Sequence, residues 1–266
     1  MKRFLALALV LVLSLGLFAG CGSEKTPAAD DAQAASDLAY VQANGKLIVG
    51  ITDYAPMDYQ DENGEWTGFD AEFARLFAEK IGVEAEFIEI EWDSKLMELD
   101  AKSIDCVWNG MTITPEIELG AAVGNAYVKN AQVVVMAKDK LASYADIAAA
   151  KDLKFAVEAG SAGEAAATEN GLTSVVAVST QSAALMEVQS GAADACIIDI
   201  TMANAMTGEG TSYADFGYSI ELSTEEYGVA FRKGSDMVDK FNAVMDELKA
   251  DGTLQKLAEK YELTLA

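Results

Sequence analysis

The stretch GFDAEFARLFAEKIG, residues 68–82, decides the fold class because it predicts an amphipathic helix between two strand-like runs. Its bulky apolar residues recur every three or four positions, which is typical of one buried helical face: Phe69, Phe73, Leu76, Phe77 and Ile81. KLIVGI precedes this helix and AEFIEI follows it, and both predict strands. A helix-like SKLMELDAKS and a buried run IDCVWNG complete a βαβαβ unit.

The same alternation recurs in the second half of the chain, in the runs KFAVEAG, SAGEAAATENG, SVVAVS, QSAALMEVQSG and ADACIID. Alternating strands and helices indicate parallel-type sheets covered by helices. The sequence therefore predicts an α/β fold of two lobes, each a helix-covered, mainly parallel sheet.

Two strand-like connections, NAYVKNAQVVVMAKD and YSIELSTEEYGVAFRKG, separate the two units. If both cross between lobes, the first lobe is discontinuous in sequence and two linking strands form a hinge. We expect lobe 1 at 40–126 and 228–266, lobe 2 at 132–222, and the hinge at 127–131 and 223–227.

Composition excludes several classes of function. The 266 residues carry 43 acidic and 19 basic side chains, a formal charge of −24, without the basic surface of a nucleic-acid binder. The absence of histidine removes the usual residue of hydrolytic triads and of His-ligated zinc sites. Cys106 and Cys196 each lie in a separate apolar run, which favours two buried thiols over a disulfide. We expect no metal, no cofactor and no enzymatic activity.

The N-terminus reads as an export signal. Lys2 and Arg3 precede the uncharged run FLALALVLVLSLGLFAG, and FAGC resembles a lipobox that ends at Cys21. We expect a signal peptide at 1–20, then a lipidated Cys21 that begins a flexible tether over 21–39, where bulky apolar residues are nearly absent. The alternative is an uncleaved membrane anchor over residues 4–23. Either reading puts the globular part outside the cytoplasm, on the outer face of the cell membrane, and in the periplasm if the organism has an outer membrane.

A candidate site follows from the carboxyl ends of the predicted strands. In open α/β sheets, ligands bind beyond these ends, and here they bear aromatic rings, hydroxyls, backbone groups and carboxylates. The predicted ligand-binding residues are Asp53, Tyr54, Trp92, Asn109, Gly110, Met111, Thr112, Ser161, Ala162 and Asp199.

Two helix starts lie among these residues. Ser161 and Glu164 have capping-box spacing, and Thr114 followed by Pro115 predicts a second capped start. Free N–H groups at a helix start suit a carboxylate, although most capped helices bind nothing. Asp199 could likewise cap the helix that follows it, and the aromatic residues could belong to the core.

Three segments carry a family resemblance: GFDAEFARLFAEKIG, DCVWNGMTITPE and EEYGVAFRKGS. From Lys46 to about Tyr261 the chain resembles the polar amino-acid-binding proteins of ABC importers, solute-binding protein family 3, whose members bind glutamine, histidine, or lysine, arginine and ornithine. The resemblance implies a type II periplasmic-binding-protein fold, a monomer that closes over a small-molecule ligand, and an ABC permease as partner.

The resemblance also implies roles for individual residues. Tyr54 matches the aromatic lid and Trp92 the second wall of the family's site. Asn109, Gly110, Thr112, Ser161 and Ala162 match its backbone and hydroxyl contacts, and Asp199 matches the acid that receives the ligand's α-ammonium group.

One position departs from the family pattern Gly-x-Thr-x-Thr-x-Glu-Arg. The arginine, which clamps the α-carboxylate of the ligand, is replaced by Ile117. A charged hydrogen bond contributes about 1.5 to 3 kcal/mol, so losing the two-bond clamp weakens carboxylate binding by about tenfold to a thousandfold or more. The hypothesis is that the site selects a cationic amine and tolerates an α-carboxylate without requiring it.

The function that unites these features is a lipid-anchored substrate-binding subunit of an ABC importer. One alternative is a cyclohexadienyl-dehydratase-like enzyme on the same fold, for which the candidate acids are Asp53, Asp199 and Glu116. Another alternative is a sensory or adhesion module with a degenerate pocket.

Overall fold

The computed structural model describes residues 36–266. The predicted signal peptide, the lipidation at Cys21 and most of the tether lie outside the described residues. The predicted tether, 21–39, overlaps the first helix by three residues, since that helix begins at Asp37. The reason is an ion pair: the buried Asp37 carboxylate accepts from Arg232 Nε at 3.0 Å, which ties this helix to the folded unit.

Helices and strands alternate through the described chain, as βαβ units require. The α-helices are α1 Asp37–Asn44, α2 Phe69–Ile81, α3 Lys95–Asp100, α4 Pro115–Gly120, α5 Lys138–Leu141, α6 Ala162–Glu169, α7 Gln181–Gln189, α8 Ile200–Met206, α9 Met237–Ala250 and α10 Thr253–Lys260. A short 3-10 helix, Trp92–Ser94, precedes α3.

The strands form two larger sheets and two short ribbons. They are β1 Lys46–Ile51, β2 Tyr59–Gln60, β3 Trp66–Thr67, β4 Glu84–Glu89, β5 Cys106–Val107, β6 Ala122–Val123, β7 Val128–Asn130, β8 Gln132–Ala137, β9 Phe155–Glu158, β10 Val175–Val178, β11 Ala195–Asp199, β12 Phe216–Glu221, β13 Glu225–Tyr227 and β14 Ala230–Phe231.

The first lobe is built on the sheet β4-β1-β5-β14-β6. β1 pairs in parallel with β4 and β5, whereas β14 runs antiparallel to β5 and β6. Helices α1, α2, α3 and α4 contact this sheet, and α9 and α10 pack on α2. The single reversed strand, β14, brings the chain back from the other lobe, so the sheet is mixed although most of its strands share one direction.

The second lobe repeats this plan with the sheet β10-β9-β11-β8-β12. β9 pairs in parallel with β10 and β11, and β8 runs antiparallel to β11 and β12. Helices α5 to α8 contact this sheet. Here β8 is the reversed strand, and it enters directly from the first lobe.

A two-stranded ribbon lies where the chain passes between lobes. β7 pairs antiparallel with β13, with Lys129 opposite Glu226. These strands fall in the two segments for which the sequence predicts a hinge, and hinge motion is part of the proposal below.

The aromatic face of α2 forms the centre of the first lobe. Phe73 contacts Trp108 edge-on with ring centroids 4.9 Å apart, and Trp108 lies 5.2 Å from Phe241 of α9. Burying each such ring stabilises the fold by about 1.5 to 3 kcal/mol. The helical stripe read from the sequence is therefore the face that joins α2 to α9.

Both cysteines of the described chain, Cys106 and Cys196, are free and buried in separate sheets, as predicted. No helix within residues 36–266 combines the length and hydropathy needed to cross a bilayer.

Candidate functional site

A cavity of about 640 Å³ lies between the two lobes. Nine of the ten predicted site residues line it: Tyr54, Trp92, Asn109, Gly110, Met111, Thr112, Ser161, Ala162 and Asp199. The exception is Asp53, which is exposed, lies outside this lining and accepts a hydrogen bond on its carbonyl from Ser182 Oγ at 3.3 Å. The rule that ligands bind beyond the carboxyl ends of the strands, called the strand-end rule below, thus brings together groups from both sheets.

Hydrogen bonds join the two lobes beside this cavity. The Tyr54 hydroxyl of the first lobe hydrogen-bonds to Thr201 Oγ1 of α8 at 2.5 Å and to the Tyr227 hydroxyl of β13 at 2.5 Å. Thr201 and Tyr227 complete the triangle at 2.9 Å. Because the Tyr54 hydroxyl is used in this way, its ring is the part available to a ligand.

Lys95 is a cavity residue that sequence reasoning missed. Its ammonium donates to Trp92 O at 3.0 Å and across the lobes to Gly160 O at 2.9 Å, and it lies 4.7 Å from the Trp92 ring centroid. Burial lowers the pKa of Lys95, against the opposing effect of Glu158 and other nearby carboxylates. Its position one helical turn after Trp92 was the available signal.

The Asn109–Gly110 turn is held by the scaffold. The Asn109 amide accepts from Thr52 N at 3.0 Å and donates to Asp58 Oδ2 at 2.8 Å, so its side chain is already hydrogen-bonded. Gly110 N donates to Asp70 Oδ2 at 2.6 Å. Gly110 has φ +54°, and a Cβ there would lie 2.5 Å from a Tyr54 ring carbon, so glycine lets the aromatic ring pack on this turn.

Thr112 has hydrogen-bonding capacity left over. It forms an isolated bridge with Tyr227, in which Ile113 N donates to Glu226 O at 2.9 Å and Gly228 N to Met111 O at 2.9 Å. Thr112 itself is half-buried and lines the cavity. Its polar groups are therefore better placed for a ligand than those of Asn109.

Both predicted helix starts are present. Ser161 Oγ accepts from Glu164 N at 3.2 Å and the Glu164 carboxylate accepts from Gly160 N at 2.7 Å. Thr114 Oγ1 accepts from Ile117 N at 3.2 Å, with Pro115 at the first position of α4. The start of α6 contributes Ser161 and Ala162 to the cavity wall.

Asp199 ends β11 and is only 4% exposed. Its Oδ1 accepts from Gln132 Nε2 at 2.8 Å and from Asn130, and its Oδ2 accepts from Gln181. It makes no side-chain capping bond to α8, so the capping alternative is not what holds it. Burial, with a smaller effect from the negative charge of Glu225, raises the pKa of Asp199 to about 7.

Glu158 is the second residue that sequence reasoning missed. It ends β9, lines the cavity and is 3% exposed. Burial first, and then the negative charge of Asp199, raise the pKa of Glu158 to about 8, although the Lys95 ammonium opposes this shift. The strand-end rule could have found Glu158, but its position inside the run KFAVEAG made it look like a strand residue.

Ile117 leaves the cavity wall apolar where the family pattern has arginine. It lines the cavity, is 6% exposed and packs in a cluster with Trp92, Leu99 and Met111. The two arginines of the described chain lie elsewhere: Arg232 is bound to Asp37 and Asp105, and Arg75 donates to Trp66 O at 2.6 Å. No guanidinium of residues 36–266 lines this cavity.

The charge of the cavity is strongly negative. Six carboxyl side chains and one ammonium, that of Lys95, line it: the carboxyls belong to Asp93, Glu116, Glu158, Glu164, Glu169 and Asp199. The ion pairs of the described chain all join residues of the same lobe, for example Lys260 with Glu72 and Lys140 with Asp194. Contact between lobes therefore rests on neutral hydrogen bonds, on Lys95 and on packing.

Similar proteins of known structure share this architecture. A crystal structure of a mutant of ArgBP from T. maritima superposes with a TM-score of 0.79 at 31% identity, covering 85% of this chain and 98% of that one. The ancestral amino acid-binding protein AncCDT-1, a precursor of cyclohexadienyl dehydratase, gives a TM-score of 0.78 at 32% identity, covering 85% and 99%. The fold is thus a type II periplasmic-binding-protein fold.

Sequence comparison agrees over the whole chain. The arginine-binding extracellular protein ArtP of Bacillus subtilis (strain 168) is 30% identical over 272 residues, 98% of each protein. Residues 47–264 match the model of the bacterial extracellular solute-binding proteins, family 3. The protein belongs to family 3 of the bacterial extracellular solute-binding proteins, which serve ABC transporters.

Proposed function

We propose that this protein captures an amino acid or a related small amine outside the cytoplasm and delivers it to an ABC permease. The observation that carries the proposal is the cavity between the lobes, lined by Asp199, by Tyr54 and Trp92, and by the start of α6. Its volume of about 640 Å³ falls in the range typical of small-molecule sites. The family relationship supports both the ligand class and the permease partner.

The cavity favours the positive end of such a ligand. An ammonium group gains from charge pairing with Asp199 and from cation–π contact with the aromatic rings. A carboxylate finds Ile117 in place of a guanidinium, but the N–H groups near Thr112 and Ala162 remain for hydrogen bonding. We therefore propose that the amine is required and the carboxylate is tolerated.

We propose that the ribbon of β7 and β13 acts as the hinge, and that the lobe and hinge boundaries follow the sequence prediction. Opening then has to break the Tyr54–Thr201 bond and the Lys95–Gly160 bond. A ligand that binds both lobes restores this contact and shifts the population to the closed state. Small-angle scattering should register closure as a decrease in radius of gyration.

The anchoring is proposed from sequence alone. Signal cleavage before Cys21 and lipidation of its thiol would tether a monomer to the outer face of the membrane. Mass spectrometry of the protein purified from membranes should find a chain that begins at Cys21 and carries acyl groups on that residue. A chain that still carries residues 4–20 and no lipid would support the uncleaved anchor over residues 4–23.

The deciding experiment is a binding screen on the purified soluble part of the chain. Thermal shift and calorimetry should compare amino acids with their decarboxylated amines: arginine with agmatine, lysine with cadaverine, ornithine with putrescine, and histidine with histamine. Binding of both members of a pair with similar affinity supports a tolerated carboxylate. If no amino acid, polyamine or quaternary amine binds, the proposal is wrong.

One observation favours the enzymatic alternative. Because the pKa of Glu158 is raised to about 8, this cavity holds a carboxyl that is mostly protonated at neutral pH, and a protonated carboxyl is a possible general acid. Similarity to AncCDT-1 makes a dehydratase the relevant test. Incubation with prephenate and arogenate should give no product if the protein is only a binder.

The sensory or adhesion alternative makes a different prediction. A degenerate pocket would give Asp199→Ala the same affinity as the wild type for every ligand found in the screen. Under the proposed function, that substitution removes the buried carboxylate and weakens amine binding.

A further inference from the structure

Glu158 has an oxygen that the protein does not use. Several buried side-chain atoms of residues 36–266 lack a hydrogen-bond partner, and among them Glu158 Oε1 is the one that belongs to a cavity-lining residue. A buried acceptor without a partner destabilises the folded state. Glu158 Oε1 is itself shielded from solvent, so a ligand can supply the missing donor only if the carboxyl turns toward the cavity that Glu158 lines.

No cation of the described protein pairs with Glu158. The one ammonium that lines the cavity, Lys95, donates to Trp92 O and Gly160 O, and no ion pair within 4.0 Å joins it to Glu158. Lys95 therefore affects the Glu158 carboxyl only from a distance. Buried charges are normally paired, because desolvating an unpaired one is costly.

Asp199 also has no cationic partner within the described protein. Its carboxylate is hydrogen-bonded by the side-chain amides of Asn130, Gln132 and Gln181, all of which are neutral. Glu158 and Asp199 lie at the carboxyl ends of neighbouring parallel strands, β9 and β11. When both are ionised, the cavity has two buried negative charges that no cation of the described protein pairs with.

Building on the proposed function, we infer that the ligand carries two positively charged nitrogen groups and that Glu158 selects for the second of them. One group balances Asp199, and the other donates an N–H to the Glu158 carboxylate once that side chain turns toward the ligand. A ligand with a single positive group leaves one carboxyl uncompensated. The ligand class is therefore a basic amino acid or a diamine, and Glu158 is a specificity-determining residue.

The test compares ligand pairs that differ by one positive charge at nearly equal size. Calorimetry at pH 8.5 should measure arginine against citrulline, and putrescine against n-butylamine, with wild type, Glu158→Gln and Glu209→Gln. Glu209 is an exposed carboxylate of the second lobe that does not line the cavity, so its variant controls for net charge. Wild type should prefer the dibasic member by about tenfold to a hundredfold, the effect of one charged hydrogen bond.

Glu158→Gln should bind both members of a pair with nearly equal affinity, and Glu209→Gln should keep the wild-type preference. Thermal melts at pH 9 without ligand supply a second readout. Because the amide removes a buried charge, the Gln variant should melt at the same temperature as wild type or higher. A residue with a purely structural role would instead lower the melting temperature.

Three results overturn the inference: equal wild-type affinity for both members of each pair, a preference that survives in Glu158→Gln, or a lower melting temperature of that variant at pH 9. Each of these leaves the proposed function intact, provided that wild type binds some amino acid or amine. If wild type binds none of them, the proposed function fails together with the inference. If the variant does not fold, equal wild-type affinity for both members of each pair still overturns the inference.

Discussion

Ligand affinity should rise steeply with pH between 6 and 8, and the two cavity carboxyls set the size of the effect. The pKa is about 8 for Glu158 and about 7 for Asp199, in both cases raised mainly by burial. A cationic ligand pairs with the ionised forms, so binding at low pH must first expel protons. Affinity should therefore increase as pH rises through these values and level off above about 8.

The magnitude follows from the ionised fractions. For Glu158, a pKa of about 8 makes about one carboxyl in a hundred ionised at pH 6 and about half at pH 8, a gain of about fiftyfold in affinity. Asp199, at about 7, adds about tenfold over the same range. Because neighbouring carboxyls titrate as a pair, the quantity to measure is the total gain in affinity from pH 6 to pH 8, and not a separate gain for each carboxyl.

Calorimetry in buffers of different ionisation enthalpy measures this directly. At pH 7 we expect release of about one proton or more per dibasic ligand bound, and Glu158→Gln should lower that number. Affinity that stays flat from pH 6 to 9 with no proton release would refute the reasoning.

Stability without ligand should show the opposite dependence on pH. The folded state holds the Glu158 proton more tightly than the unfolded chain, since its pKa is raised from 4.5 to about 8. The free energy of unfolding should thus decrease as pH rises from about 4.5 to about 8. Chemical denaturation at several pH values, with Glu158→Gln as control, measures this decrease.

Three substitutions probe the carboxylate end of the ligand and the closure of the lobes. Ile117→Arg should strengthen binding of amino acids relative to their decarboxylated amines by about tenfold or more, and Ile117→Leu should not; equal gains for both ligand classes would contradict this. Gly160→Ala places a Cβ 2.6 Å from Asp93 Cα across the cleft, so ligand should no longer reduce its radius of gyration in scattering. Gly171→Ala is the matched control, because φ is +68° against +69° at Gly160 and its Cβ meets nothing within 4 Å. Tyr54→Phe removes the hydroxyl bonds to α8 and β13 and should weaken binding by about tenfold, measured by calorimetry; unchanged affinity would show that these bonds are equally strong in the open state.

The regular part of the fold was predictable from periodicity. The stripe of α2, the alternation of strands and helices, and the capped starts at Thr114 and Ser161 are local patterns, and the structure contains all of them. The strand-end rule also gathered most of the cavity wall, because parallel strands present their carboxyl ends at the same edge.

The remaining site residues depend on long-range geometry. Glu158 belongs to a strand by pattern, but as the last residue of β9, beside β11, it reaches the cavity wall. Lys95 becomes part of the wall because the second lobe places Gly160 O within its reach. Asn109 was predicted from its place after the third strand and lines the cavity, although Thr52 and Asp58 occupy its side chain. Asp53 was included for its place in the strand-end loop, but it lies outside the cavity.

The confinement of every ion pair to one lobe has a consequence for a protein exposed to the external medium. Salt weakens interactions between solvent-exposed charges, with a Debye length of about 10 Å at 0.1 M, and here no pair of opposite charges bridges the cleft of the described chain. Changes in the salinity of the medium therefore have no ion pair between the lobes to weaken. The lobes are joined instead by the Lys95–Gly160 and Tyr54–Thr201 hydrogen bonds and by packing.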